Sequence, residues 1–265
     1  MASIKLLLLN PNSSSSMTDG MLRAISSMPS SAVLSITPYT APAPSPASIN
    51  DSNDILASHD AVIDDQSITR DGPFDGILVA CYSQHSLVNT LARRNPDMAV
   101  TGIFEASTLA VLGLGVERWG IVTTGAFWEE HLRSAVGLFL NGNGDGHHHH
   151  LTGMGNKFAG VYSTGLDAQD FHSGAFTESD IREKLRKATR ALLLAGGRVG
   201  AVVLGCAGMA GLEEMVREAA TDAYGQDEGR RVFVVDPVRA GVVQLEAAVK
   251  NRRMFGLGGG GGVMI

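Results

Sequence analysis

Apolar residues fall along this chain in short, nearly continuous runs rather than in strict alternation with polar ones. Positions 4–9, 32–36, 76–80 and 99–103 form a first set, and 120–123, 158–162, 200–204 and 232–235 a second. Runs this short, without a period of two, predict strands buried on both faces of a parallel sheet. Between most of them the period changes. Segments 127–140, 181–194, 212–220 and 238–249 place apolar side chains three and four apart, the stripe of an amphipathic helix. Strand–helix alternation of this kind implies right-handed crossovers and parallel sheets covered by helices.

The two sets follow one plan. Each first strand ends in small polar residues that open a helix, Asn10-Pro11-Asn12-Ser13-Ser14 in one and Thr123-Thr124-Gly125 in the other. Each third strand ends at a cysteine, Cys81 and Cys206. A repeat this long predicts duplicated lobes and not a solenoid. The expected architecture is α/β, with two pseudo-symmetric lobes, each a four-stranded parallel sheet flanked by helices, and an active site in the cleft between them. Lobe one is expected at residues 1–107 plus 236–265, and lobe two at 108–235 with a low-complexity loop at 141–150.

Composition narrows the functional classes. The chain has 265 residues, 44% of them hydrophobic, enough to bury a substantial core. Lys+Arg 21 against Asp+Glu 27 gives a net charge of -6, without a basic cluster, which argues against nucleic acid or an anionic membrane as partner. The apolar run at 6–9 is too short for a signal-peptide core, and no run is long enough to span a bilayer, so a cytoplasmic location is expected. With 2 cysteines there is no disulfide scaffold and no Cys-x-x-Cys pattern, and both are expected to remain thiols.

Four consecutive histidines, His147 to His150, follow an Asn/Gly stretch, but neighbours in such a loop offer no fixed tetrahedral set, so no metal is expected. The glycine run at 256–262 is read as a frayed tail. No lysine sits in a convincing pocket for a Schiff base, and no Gly-x-Gly-x-x-Gly follows a strand, so no cofactor is expected.

Ligands of open α/β sheets bind beyond the carboxyl ends of the strands. Cys81 and Cys206 occupy that position, as do Asn10, Ser13, Thr123 and Thr124. Each cysteine precedes a segment able to start a helix, whose free N–H groups are expected to lower a thiol pKa. Gly205 and Gly208 bracket the second cysteine and let backbone approach a ligand closely. If the lobes face one another, the two thiols flank one cleft.

Other chemistry-bearing residues read more simply. His85, four residues after Cys81, is either its partner or, the favoured reading, a polar residue on the opening turn of a helix. Glu105 ends the fourth strand and either orients the site or caps 106–112, with the structural role favoured. His59, His131 and His172 read as surface or helix-face residues. Phe127 and Trp128 read as a packing stripe, and Asp236-Pro237 as a helix cap.

The sequence resembles the aspartate/glutamate racemase superfamily, and within it the hydantoin and allantoin racemase branch. The resemblance rests on Asn10-Pro11-Asn12-Ser13, Pro44-Ser45-Pro46-Ala47-Ser48-Ile49, Ala80-Cys81-Tyr82-Ser83, Gly102-Ile103-Phe104-Glu105-Ala106, Val122-Thr123-Thr124 and Leu204-Gly205-Cys206-Ala207-Gly208-Met209. These pieces span nearly the whole chain in the family's order. The resemblance implies a cofactor-independent racemase with Cys81 and Cys206 as opposed acid and base. It also implies a pocket formed by Asn10, Ser13, Tyr82, Ser83, Thr123, Thr124, Gly205, Ala207 and Gly208, with Tyr39 as a further wall residue.

Amino-acid racemases of the superfamily typically carry Cys-Asn-Thr and Gly-Cys-Thr-Glu where this chain has Cys81-Tyr82-Ser83 and Gly205-Cys206-Ala207-Gly208, which disfavours free aspartate or glutamate. Residues 84–86 and the insertion at 141–150 bring the pattern closer to fungal members. The expected substrate is a small hydantoin or ureide, and the assembly is expected to be a homo-oligomer. Two alternatives stay open: a superfamily cis–trans isomerase or lyase with one nucleophilic cysteine, and a non-catalytic ureide-binding module.

Overall fold

The computed structural model describes residues 3–26, 28, 34–65, 68, 74–142 and 157–256. The His147–His150 run, the glycine tail beyond Gly256 and residues 32 and 33 lie outside the described residues. In chain order the elements of the first half are β1 (Ile4–Asn10), α1 (Ser15–Ser26), β2 (Leu34–Thr40), α2 (Ser52–Asp64), β3 (Gly76–Val79), α3 (Ser86–Arg94), β4 (Ala99–Gly102) and α4 (Ile103–Gly113). The second half has β5 (Trp119–Thr123), α5 (Phe127–Asn141), β6 (Phe158–Ser163), α6 (Glu178–Leu193), β7 (Ala201–Leu204), α7 (Glu213–Tyr224), α8 (Gln226–Gly229), β8 (Phe233–Val235) and α9 (Pro237–Phe255).

The strands form two 4-stranded sheets, β2-β1-β3-β4 and β6-β5-β7-β8, parallel throughout. The two sheets therefore have the same order of strands, and β3 and β7, which precede the cysteines, are central in each. Continuous apolar runs arise because consecutive side chains enter different cores. Leu6 and Leu8 enter one cluster and Leu7 and Leu9 another. In the second sheet Ile121 and Val203 face that first cluster, while Val122 and Val202 face a third. The first cluster is shared, since it joins Leu78, Ile103 and Phe104 of the first half to Trp119, Val161 and Ala201 of the second. Across it Phe104 stacks edge-to-face on Phe139 of α5, centroids 6.0 Å apart. The last helix, α9, packs on β3, β4, α1 and α4, so the chain's C-terminal helix returns to the first sheet.

Some boundaries depart from the sequence reading. β2 runs on to Thr40 and includes Pro38, which an edge strand tolerates because one side needs no N–H donor. β4 stops at Gly102, and Ile103 with Glu105 belongs to α4, so Glu105 lies in a helix's first turn and not at a strand end. The apolar period does not disclose α2 and α3, whose buried stripes are short: α3 buries only Leu87 and Leu91. Among the described residues no helix is long and apolar enough to cross a membrane.

Candidate active site

Asn10 ends β1 fully buried and organises the turn that follows. Its Nδ2 donates toward Asn12 Oδ1 (3.0 Å), the Ser14 carbonyl (3.1 Å) and Thr18 Oγ1 (3.0 Å), and its Oδ1 accepts from the Asn12 N–H (3.2 Å). The proline-rich segment is tied to this turn, with Ser13 N–H donating to the Pro46 carbonyl (3.0 Å) and Ser45 Oγ to the Pro11 carbonyl (2.5 Å). The equivalent turn of the second sheet is held by Thr123, whose Oγ1 donates to the Gly205 carbonyl at 2.8 Å. Gly205 is required by packing: a Cβ there would stand 2.6 Å from Ile121 Cγ2 and 2.9 Å from Thr123 Cβ. At Gly208 a Cβ would meet the Ala168 carbonyl oxygen at 2.8 Å, so this glycine admits the backbone of the neighbouring loop.

Cys81 follows β3, and Cys206 caps the short 3-10 turn Ala207–Met209 after β7. Both are free, buried thiols on one cavity of about 30 Å³, room for roughly one water. Tyr82, Thr124, Gly205, Ala207 and Gly208 line it with them. Asn10, Ser13, Ser83, Thr123 and Tyr39 are not among the lining groups. The first four build the turns, while the Tyr39 hydroxyl donates to Asp65 Oδ2 at 2.8 Å. The Tyr82 ring stacks edge-to-face on Phe104 at 5.7 Å, its hydroxyl hydrogen-bonded with Ser107 Oγ (3.2 Å).

The sequence reading missed Asn12, Met17, Ile49, Ala80, Trp128 and Ala168 as lining groups. Asn12, Ile49 and Ala80 stand within the motifs that carry the resemblance, and Trp128 packs in the shared core as its stripe suggested while also reaching the cavity. Nothing in the sequence pointed to Ala168, which opens the 3-10 turn Ala168–Phe171 between β6 and α6.

The expectation of lowered thiol pKa values is overturned. Burial pushes Cys206 up to about 11, although the N–H groups of Gly208 and Met209 oppose it, the first at 3.3 Å from Sγ. Burial pushes Cys81 up to about 12, with the Ser83 hydroxyl at 3.5 Å opposing and the nearby Cys206 and Glu105 adding to the rise. Desolvation by the closed lobes outweighs the local N–H donors. Glu105 itself is raised from 4.5 to about 7 by burial, against backbone N–H donors of Glu105 and Gly102.

A carboxyl with a raised native pKa stabilises the fold fully below its unfolded value and loses that contribution as pH rises through the native value. Glu105's own contribution is therefore expected to fall between about pH 4.5 and 7, so the melting temperature of Glu105→Gln, which cannot ionise, is expected to rise relative to the wild type across that window in thermal scans. A difference between the two proteins that stays constant with pH would rule this contribution out.

His85 does not pair with Cys81. It caps α3, its Nδ1 accepting from the Leu87 N–H (3.3 Å) and its Nε2 bonded to Ser58 Oγ (3.0 Å), and burial lowers its pKa to about 3. His59 bridges Asp60 and Thr90, and His131 stacks on Phe127 at 5.3 Å. His172, read from sequence as a surface or helix-face residue, is half-buried, hydrogen-bonded to the Gly208 backbone and packed near Gly20 of α1. It thus touches both halves of the molecule. Asp236 is the expected cap, its Oδ1 accepting from the N–H groups of Val238 (2.8 Å) and Arg239 (3.0 Å).

Comparison with known proteins places this geometry. A family model described as Asp/Glu/Hydantoin racemase matches residues 6–245. Protein DCG1 of Saccharomyces cerevisiae is 31% identical over 223 residues, 79% of this chain and 84% of its own. Hydantoin racemase of Paenarthrobacter aurescens is 25% identical over 248 residues, 93% of this chain and 91% of its own. Among solved structures, allantoin racemase from Klebsiella pneumoniae superposes with a TM-score of 0.69 at 25% identity, covering 93% of this chain and 88% of that one.

Proposed function

We propose, from the premise that this chain belongs to the Asp/Glu/hydantoin racemase family, that it racemises a five-membered ureide ring, a 5-substituted hydantoin or allantoin, with Cys81 and Cys206 as the acid–base pair. The observation that carries this reading is the cavity itself. Two free thiols reach it from equivalent strand ends of two like sheets, and none of the side chains lining it is charged. An amino dicarboxylate buried there would lack countercharges for its carboxylates, a costly arrangement, whereas a neutral ring needs only hydrogen bonds. Thr124 is a polar side chain placed to give them, while Asn12 Oδ1 already accepts from Asn10 Nδ2 and the Ser14 N–H.

The chemistry balances without a redox partner. One cysteine, as thiolate, takes the proton from the ring carbon beside a carbonyl, leaving a planar enolate. The other, as thiol, delivers a proton to the opposite face, and the two sulfurs exchange charge states. Return of the pair to its starting state completes the cycle, and starting from the other enantiomer reverses the roles.

A cavity of about 30 Å³ is too small for a ureide ring, so the lobes part to admit substrate. Parting also hydrates the thiols and relieves the desolvation that holds their pKa values high.

The test is proton exchange. Enantiopure allantoin and a panel of 5-substituted hydantoins, followed by NMR in D₂O, are expected to gain deuterium at the ring carbon and lose optical rotation faster with enzyme than without. No enzyme-dependent excess across the panel would remove this substrate class.

A further inference from the structure

Each cysteine meets a hydrogen-bonding group from the residue two places further along, and the two halves supply it differently. In the second half the Gly208 N–H donates to Cys206 Sγ at 3.3 Å, while the Met209 N–H donates to the Cys206 carbonyl at 3.1 Å. In the first half the turn is tighter. The Ser83 N–H donates to the Cys81 carbonyl at 3.0 Å, so the amide equivalent to that of Gly208 is engaged by backbone. The Ser83 side chain takes its place, its Oγ standing 3.5 Å from Cys81 Sγ. Ser83 is fully buried, and Cys81 Sγ is the hydrogen-bond partner of its hydroxyl among the described residues. Ser83 is not a lining group of the cavity, so its hydroxyl serves the thiol and not the space a substrate fills.

A backbone N–H can only donate, whereas a hydroxyl donates or accepts as its hydrogen rotates. We propose that Ser83 is a positioning residue that acts through Cys81, its hydroxyl accepting the S–H of the resting thiol and rotating to donate to sulfur when Cys81 becomes thiolate. Ser83 gains and loses no proton. Cys81 thus keeps a partner in both charge states as negative charge passes between the sulfurs, while Cys206 has a fixed donor that favours its thiolate. Each contact lies within one turn of one half, so parting of the lobes breaks neither. The catalytic consequence rests on the two-thiol reading; the contact of Ser83 with Cys81 does not.

The test reads the thiols directly, without substrate. Full-length protein is treated with iodoacetamide from about pH 7 to about pH 9, and alkylation of each cysteine is followed by peptide mass spectrometry. The quantity read is the ratio of the Cys81 rate to the Cys206 rate, because opening of the lobes exposes both thiols and cancels in it. In Ser83→Ala this ratio is expected to fall about three- to fourfold. Losing the donor raises Cys81 by about one pKa unit, a tenfold smaller thiolate fraction, and the greater nucleophilicity of a more basic sulfur returns part of that loss. Ser83→Thr keeps the hydroxyl and is expected to keep the ratio, a rescue that a space-filling role does not predict. An unchanged ratio in Ser83→Ala, or an equal fall in Ser83→Thr, overturns the proposal. Ser83→Gly removes the same hydroxyl and is read in the same way if a thermal scan shows that Ser83→Ala does not fold. Failure of every ureide to racemise leaves the ratio untouched, so the two readings fail separately.

Discussion

A Cys206→Ser protein is expected to keep its fold and to lose racemisation by at least about a hundredfold, the lower end of what a positioned acid or base supplies. The substitution replaces one small buried atom by another and leaves the Gly208 N–H with an acceptor, so the turn after β7 has no reason to rearrange. What changes is acidity. A serine hydroxyl in a site that already holds the thiol at about 11 has no accessible anion, and the ring proton facing it has nowhere to go. Cys81→Ser removes the opposite partner and is expected to give the same loss. Optical rotation of enantiopure substrate, read beside a thermal scan, checks both. A Cys206→Ser protein that melts like the wild type and racemises at a comparable rate would sink the two-thiol mechanism.

Phe104→Ala carries the largest expected cost in stability, about 3–5 kcal/mol, the range for emptying a fully buried phenylalanine site. Its ring does more than fill space. It stacks edge-to-face on Tyr82, which follows the first cysteine, and on Phe139 of α5. Such pairs add about 0.5–1.5 kcal/mol each beyond burial. Chemical denaturation is expected to show the midpoint falling with little change in slope. Phe104→Leu, which keeps most of the volume, is expected to lose much less. Equal stability of Phe104→Ala and wild type would mean that neighbouring side chains collapse into the site.

The central strands were legible because both faces of each sheet are buried along them, so that Leu6 to Leu9 form one uninterrupted run even though alternate members enter different cores. The cysteines were legible as a pair because each ends the third strand of a repeated plan. The state of those thiols was not. Local sequence shows the helix starts that favour an anion, but desolvation comes from closure of one half on the other, and no stretch of sequence records it. Asn10 and Asn12 show the same limit. Both are polar residues at a strand end and both build the turn, yet Asn12 also lines the cavity and Asn10 does not. Ala168 could not be found at all, since it opens the short 3-10 turn Ala168–Phe171, whose approach to Gly208 is set by tertiary packing. Glu105 was misread for a local reason: β4 passes into α4 without an intervening loop, and an apolar run continues across the junction.

The apolar stratum common to both sheets has a thermodynamic corollary. Either half cut from the other would expose Phe104, Trp119 and Ile121 or their partners to water, so neither half is an autonomous folding unit despite its complete sheet. The two copies of the plan have become a single cooperative body, and calorimetry of the intact chain should register one heat-absorption peak where two tethered domains would give two.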